Sequence, residues 1–86
     1  METDTKARFI YLIETERQYN VLVRILTAVN RERIPIMELS SQWTKEEDRL
    51  RITLSVEQTK ESALKLSKKI NREVDVINIQ VLEQLN

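Results

Sequence analysis

Three groups of residues in this chain have the types and spacing for chemistry. Glu46, Glu47 and Asp48 stand in a row, a set of carboxylates of the kind that holds a hard cation. Lys65, Lys68, Lys69 and Arg72 recur at helical spacing and form a basic stripe of the kind that meets phosphate. Phe9 and Tyr11 alternate with Ile10 and Leu12, as base-stacking aromatics do on RNA-binding sheets. Each group also has a plainer account. Three acids in a turn without further ligands are solvated charge. The basic stripe fits the solvated face of a helix, toward the C-terminal half where the dipole favours cations. Phe9 and Tyr11 share a face with Ile13 and lack the basic, aromatic-rich signature of RNA-binding strands. Trp43, the one tryptophan, is either an anchor for a partner or a shield over a strand end.

The residues that are missing exclude more. The chain has 86 residues and no Cys, His or Gly. That removes zinc fingers, thiolate nucleophiles, disulfide frameworks and Ser-His-Asp triads. It also removes the P-loop and the dinucleotide fingerprint. Neither a catalytic residue nor a metal ligand is assigned. Fourteen basic and fourteen acidic residues cancel, and nucleic-acid binding needs uncompensated cations. The longest apolar run, Phe9 to Ile13, is far too short to span a bilayer. The opening Met-Glu-Thr-Asp-Thr-Lys is acidic and polar, unlike a secretory signal. The expectation is a non-catalytic cytoplasmic domain with no cofactor of its own and no membrane or nucleic-acid partner.

Hydrophobic spacing supplies the elements. Residues 1–6 are polar and expected to be loose, with an ordered core over about residues 7–84 of a single domain, 1–86. Arg8 to Glu14 is apolar on both faces and rich in β-branched and aromatic residues, which predicts a strand. Val21, Leu22, Ile25, Leu26, Ala28 and Val29 predict a helix from Tyr19 to Glu32. Ile34 to Thr44 reads as a second strand, with Pro35 at its start or on a sheet edge because it cannot donate to a ladder. Lys45 to Asp48 is a charged turn, longer than a tight primed one because no Gly is available. Leu50, Ile52, Leu54 and Val56 alternate with Arg51, Thr53 and Ser55 in a third, half-buried strand. Thr59 caps a second helix to Arg72, carrying Ala63, Leu66 and Ile70 on its apolar face. Val74 to Leu82 is the last strand, with Ile77, Ile79 and Val81 on one face. Asp75 at its start is expected to be solvated.

The order strand, helix, strand, strand, helix, strand, with right-handed crossovers, gives an α+β fold of ferredoxin-like βαββαβ type. Its four-stranded antiparallel sheet carries both helices on one face. Two helices cover only one face, so Ile10, Leu12, Met37, Leu39, Trp43, Val74 and Val76 cannot all be covered by them. Strand 2 offers Met37, Leu39 and Trp43 at period two, with Ile34 and Ile36 on the opposite side. An open apolar sheet face is usually an interface. Ile10, Leu12, Met37, Leu39 and Trp43 are therefore interface candidates.

Three strings resemble the ACT-domain regulatory (small) subunits of acetolactate synthase, also called acetohydroxyacid synthase. They are Glu16-Arg17-Gln18-Tyr19-Asn20-Val21-Leu22-Val23-Arg24-Ile25, then Arg31-Glu32-Arg33-Ile34-Pro35-Ile36-Met37-Glu38-Leu39, and finally Lys69-Ile70-Asn71-Arg72-Glu73-Val74-Asp75-Val76-Ile77. The likeness spans about residues 8–83, and V-D-V-I is its most distinctive piece. It implies an ACT domain of the short, single-domain kind. It implies regulation rather than catalysis: a thiamine-dependent large subunit does the chemistry, and the small subunit binds and activates it. It also implies homodimer pairing through the sheet or its β-edges. Valine or another branched-chain amino acid would bind at the pair interface, near Asn20, Val21, Leu22, Pro35 and Ile36.

The chain departs from the family there. Asn20 stands where the family has Gly, and Asn brings a side chain into that space. Pro35 stands where the family has Asn, and it offers neither a side-chain amide nor an N–H. An amino-acid effector needs such groups, so the pocket reads as degenerate and valine feedback as weak or absent. Two other readings stand beside this one. The chain would otherwise be a free-standing ACT-like amino-acid sensor or dimerisation module, or an RNA-binding ferredoxin-like domain.

Overall fold

The structure is a computed structural model and describes residues 5–85. Most of the polar lead expected over residues 1–6 lies outside them. The order is β1 (Ala7–Glu16), α1 (Val21–Arg31), β2 (Ile36–Thr44), β3 (Arg49–Gln58), α2 (Lys60–Asn71) and β4 (Val76–Gln84). The four strands form one antiparallel sheet in the order β2-β3-β1-β4. This is the ferredoxin-like βαββαβ arrangement, with β1 and β3 in the middle and β2 and β4 at the edges.

Register decides which residues the helices cover. Phe9, Tyr11 and Ile13 lie opposite Val56, Leu54 and Ile52. With Val21, Ile25 and Val29 of α1 and Ala63, Leu66 and Ile70 of α2, they form one buried core. Each fully buried aliphatic or aromatic side chain contributes about 1.5–3 kcal/mol. α2 packs on β4 and β1, and α1 packs beside α2.

Turns without glycine are solved by other residues. Arg33 follows α1 in the left-handed region, φ 57°. Its N–H donates to the Asn30 carbonyl at 3.0 Å, and the Ile34 N–H reaches the Val29 carbonyl at 3.5 Å. That is a Schellman ending with arginine in the usual glycine place, and buried Ile34 packs with buried Val29 in the core. Asp48 takes φ 57° in the β2–β3 turn, where a short polar side chain tolerates it. That turn is a four-residue loop closed by the Thr44 and Arg49 pair.

Three expectations are corrected. β2 has an irregularity between Ile36 and Glu38. Ile36 therefore pairs with Val56, Leu39 with Leu54 and Trp43 with Leu50. All three lie on the helix side, whereas simple alternation puts Ile36 opposite Leu39. A second irregularity, at Glu14 and Thr15 against β4, leaves Ile77 out of the face formed by half-buried Ile79 and Val81. Val74 is 85% exposed and lies in the loop before β4.

Candidate effector and interface site

The residues proposed for effector binding sit at the two ends of α1. Asn20 is the N-cap residue, but its side chain makes no capping bond. Its Oδ1 instead accepts from Arg24 Nη2 at 3.4 Å. Val21 is buried in the core and Leu22 packs against it. The first turn of α1 carries no acid to offset its positive end. Pro35 and Ile36 are exposed beyond the other end of the helix. Nine helical residues, 23–31, lie between the two groups, about 14 Å at the usual rise. A single chain does not bring the five residues together.

One link crosses from α1 to the start of β4. Arg24 Nη1 donates to Glu73 Oε1 at 3.1 Å, and Nη2 donates to Asp75 Oδ2. The bond to Asp75 is the main cause that raises the guanidinium's pKa above its ordinary value. The Asp75 backbone carbonyl also accepts from Glu16 N–H at 2.8 Å. Asp75 is thus half-buried and paired rather than solvated. The arginine of the Val21-Leu22-Val23-Arg24 string meets the aspartate of the Val74-Asp75-Val76 string, although 51 residues separate them.

The interface candidates divide between two faces. Ile10 and Leu12 lie on the side away from the helices, opposite Ser55 and Thr53 on β3 and Leu82 and Gln80 on β4. They form an apolar island ringed by polar groups. On one side Arg8 Nη2 donates to Glu38 Oε1 at 2.9 Å and to Ser55 Oγ at 3.1 Å. On another, Arg49 Nη1 lies 3.4 Å from Glu14 Oε2. A shallow depression of about 350 Å³ there is lined by Leu12, Glu14, Arg51, Thr53, Asn78 and Gln80 among others. Leu39 and Trp43 lie on the helix side of edge strand β2, yet 39% and 44% of their surface is exposed. Met37 is exposed at the irregularity of β2. Arg17, in the loop before α1, stacks its guanidinium over the Trp43 ring at 5.1 Å and reaches Asp48 at 3.4 Å.

The other chemical candidates are accounted for within the fold. Glu47 pairs with Arg51 at 3.0 Å and Asp48 with Arg17. Among the described residues, no group of three or more His, Cys, Asp or Glu is placed to hold a metal ion. Lys69 pairs with Glu32, while Lys65, Lys68 and Arg72 are exposed. Phe9 and Tyr11 are buried under the helices, so neither offers a face to a base. The Tyr11 hydroxyl donates to the Ala63 carbonyl at 2.6 Å, and burial pushes its pKa up to about 12. No helix among the described residues is long and apolar enough to cross a membrane.

Neither a protein-family profile nor a curated protein matches the sequence. Solved structures do match the fold. An uncharacterized protein of Thermotoga maritima superposes with a TM-score of 0.78 at 17% identity, covering 94% of this chain and 100% of that one. The ACT domain from GTP pyrophosphokinase of Chlorobium tepidum superposes with 0.72 at 15% identity, covering 93% of this chain and 100% of that one. The fold is that of an ACT domain. A de novo designed protein also matches, with a TM-score of 0.69 at 16% identity over 95% of this chain and 99% of that one. The ACT-type fold therefore does not by itself carry a function.

Proposed function

We propose that this chain is a non-catalytic regulatory subunit that binds and activates the thiamine-dependent large subunit of acetolactate synthase, in the cytoplasm, within branched-chain amino-acid biosynthesis. It pairs with a second copy through its sheet or strand edges and biases the catalytic subunit toward an active conformation. The observation that carries this reading is the Arg24–Asp75 pair. Two strings of the resemblance that are remote in sequence meet as one structural unit, which supports reading them together. The coarser reading, a small regulatory amino-acid-sensing module, has the support of the ACT-type fold.

Valine feedback is weak or absent in this proposal. The Asn20 amide oxygen is already engaged by Arg24, and Pro35 has no N–H to offer. An amino-acid carboxylate and ammonium would find few free partners there.

The test titrates the purified chain into the same organism's large subunit and follows acetolactate formation. A saturable rise in rate at a fixed stoichiometry is expected. The absence of both a rise and a complex overturns the assignment. Valine added to the same assay is expected to change little, and saturable valine binding below millimolar concentration would sink the degenerate pocket. A second reading, a free-standing sensor, has one observation in its favour: a solved neighbour is an ACT domain of a different enzyme, GTP pyrophosphokinase. Thermal stabilisation by one amino acid, without affinity for the large subunit, would support it.

A further inference from the structure

We infer that the uncovered face of the sheet stacks on the same face of a second copy of this chain, about a two-fold axis that runs across the strands at the level of Tyr11. This rests on the proposed pairing of two copies and on nothing else in that reading, and it uses neither strand edge.

Both helices pack on one side of the sheet, so the other side has no cover from its own chain. That side is charged at its two ends and uncharged in the middle. Along β1 it presents Arg8, Ile10, Leu12 and Glu14. On β3 the residues opposite them are Glu57, Ser55, Thr53 and Arg51. Reversing either string keeps the character of its middle and exchanges the charges at its ends. Leu82 of β4, beside Ile10, widens the apolar centre. Depletion of charge at the centre with charges at the rim is the anatomy of a protein interface. A contact between identical surfaces about a two-fold axis requires self-complementarity, and two adjacent strands of this face have it.

The axis selects the partners. Arg8 comes over Glu14 of the second copy, and Glu57 over its Arg51. Ile10 comes over its Leu12, apolar on apolar. A two-fold axis along β1 would instead set Arg8 on Arg8 and Glu14 on Glu14, and charge rejects it. Stacked sheets lie about 10 Å apart with strands within about 30° of each other, a gap that an arginine and a glutamate span together. The ion pairs within one chain are extended rather than broken. Arg8 is 2.9 Å from Glu38, and Glu14 is 3.4 Å from Arg49. The new contact joins these pairs into one network of alternating sign. The size also fits. Four strands of nine or ten residues, about 4.8 Å apart at about 3.4 Å per residue, make a face of about 600 Å². Two such faces bury about 1,200 Å², the lower end of the range for specific, stable interfaces.

Sedimentation of the purified chain, without catalytic subunit or effector, reads the contact. At micromolar concentration the wild type should sediment at twice the chain mass or a higher even multiple. Leu12→Lys, at a position 38% exposed within one chain, should sediment at half the wild-type mass with unchanged far-ultraviolet dichroism. Thr53→Arg, also exposed in the middle of the face, repeats the test if Leu12→Lys fails to fold. Arg8→Glu and Glu14→Arg should each halve the mass too, because each sets like charges over one another. The two reversals combined in one chain should restore it, which a merely structural role for either residue would not do. A chain carrying Leu39→Lys on the β2 edge should still lose half its mass when Leu12→Lys is added, which separates face from edge. A wild-type monomer overturns the inference and leaves the face for another protein. A Leu12→Lys or Thr53→Arg chain that keeps the wild-type mass overturns it as well. Single reversals that dissociate the pair without rescue by the combination overturn the axis. None of these outcomes touches the enzyme assignment, so the two can fail separately.

Discussion

The two edges of the sheet have the same length and opposite finish. β2 and β4 are each nine residues long. On β4 the helix-side residues Val76, Ile79 and Val81 are half-buried and packed against the core. On β2 the helix-side residues Ile36, Leu39 and Trp43 are exposed. The cause is where the helices lie. α2 rests on β4 and β1, and α1 packs beside α2. The second half of the chain thus completes its own core. The first half ends in an apolar edge that its own chain does not cover, and that is where an assembly surface is expected.

Truncation on each side tests this contrast most strongly. Leu66, fully buried on α2, should cost about 2–5 kcal/mol when changed to Ala, because the cavity adds to the lost transfer energy. Leu39→Ala, in dilute protein, should stay within about 0.5 kcal/mol, as surface substitutions do. Urea unfolding of each variant in dilute solution measures both. A Leu39 cost comparable to that of Leu66 would break the comparison, because β2 would then be covered within one chain.

Sequence spacing made the order of elements and the covered half legible. β3 alternates in sequence because one face lies under the helices, although Ser55 on the other face is buried too. Thr59, Glu61 and the Ala63, Leu66 and Ile70 stripe mark α2 from cap to core, and the structure places each accordingly. β2 was only partly legible. Period-two reading assumes an unbroken ladder, and the irregularity at Ile36 to Glu38 moves Ile36 to the face of Leu39. The links at the candidate site were not legible from spacing. Arg24 to Asp75 and Arg17 to Trp43 join residues whose proximity depends on sheet order. The V-D-V-I string flagged Asp75, but only the fold shows what it holds.

Tyr11 sharpens the comparison from the core side, with a smaller effect. Its hydroxyl is buried and donates to the Ala63 carbonyl on α2, so it ties the central strand to the covering helix. Tyr11→Phe should cost about 1 kcal/mol, the net worth of a hydrogen bond. The pH dependence has a definite sign. The folded pKa of about 12 lies above the phenol's ordinary value of 10.0, so folding favours the protonated phenol. That stability is fully present below pH 10 and is lost as pH rises from 10 toward 12. Unfolding midpoints across that window should fall in the wild type, and the part of the fall due to this phenol should vanish in Tyr11→Phe. An equal fall in both proteins would show that the phenol is not sequestered under α2.

The smallest expected effect compares the two helix starts. Thr59 Oγ1 accepts from the Ser62 N–H at 3.2 Å and closes the first turn of α2. Asn20 occupies the same place before α1 but turns its amide oxygen to Arg24 instead. Thr59→Ala should therefore cost about 1 kcal/mol. Asn20→Ala should stay within about 0.5 kcal/mol, although Asn ranks with the best capping residues by type. Matched urea titrations decide it. If Asn20→Ala costs as much as Thr59→Ala, the Asn20 side chain caps α1 in solution, and the amide is held by the helix rather than by Arg24. If the small cost holds, α1 starts with a weakly closed first turn, and the half of the fold with the open edge also has the less secured helix.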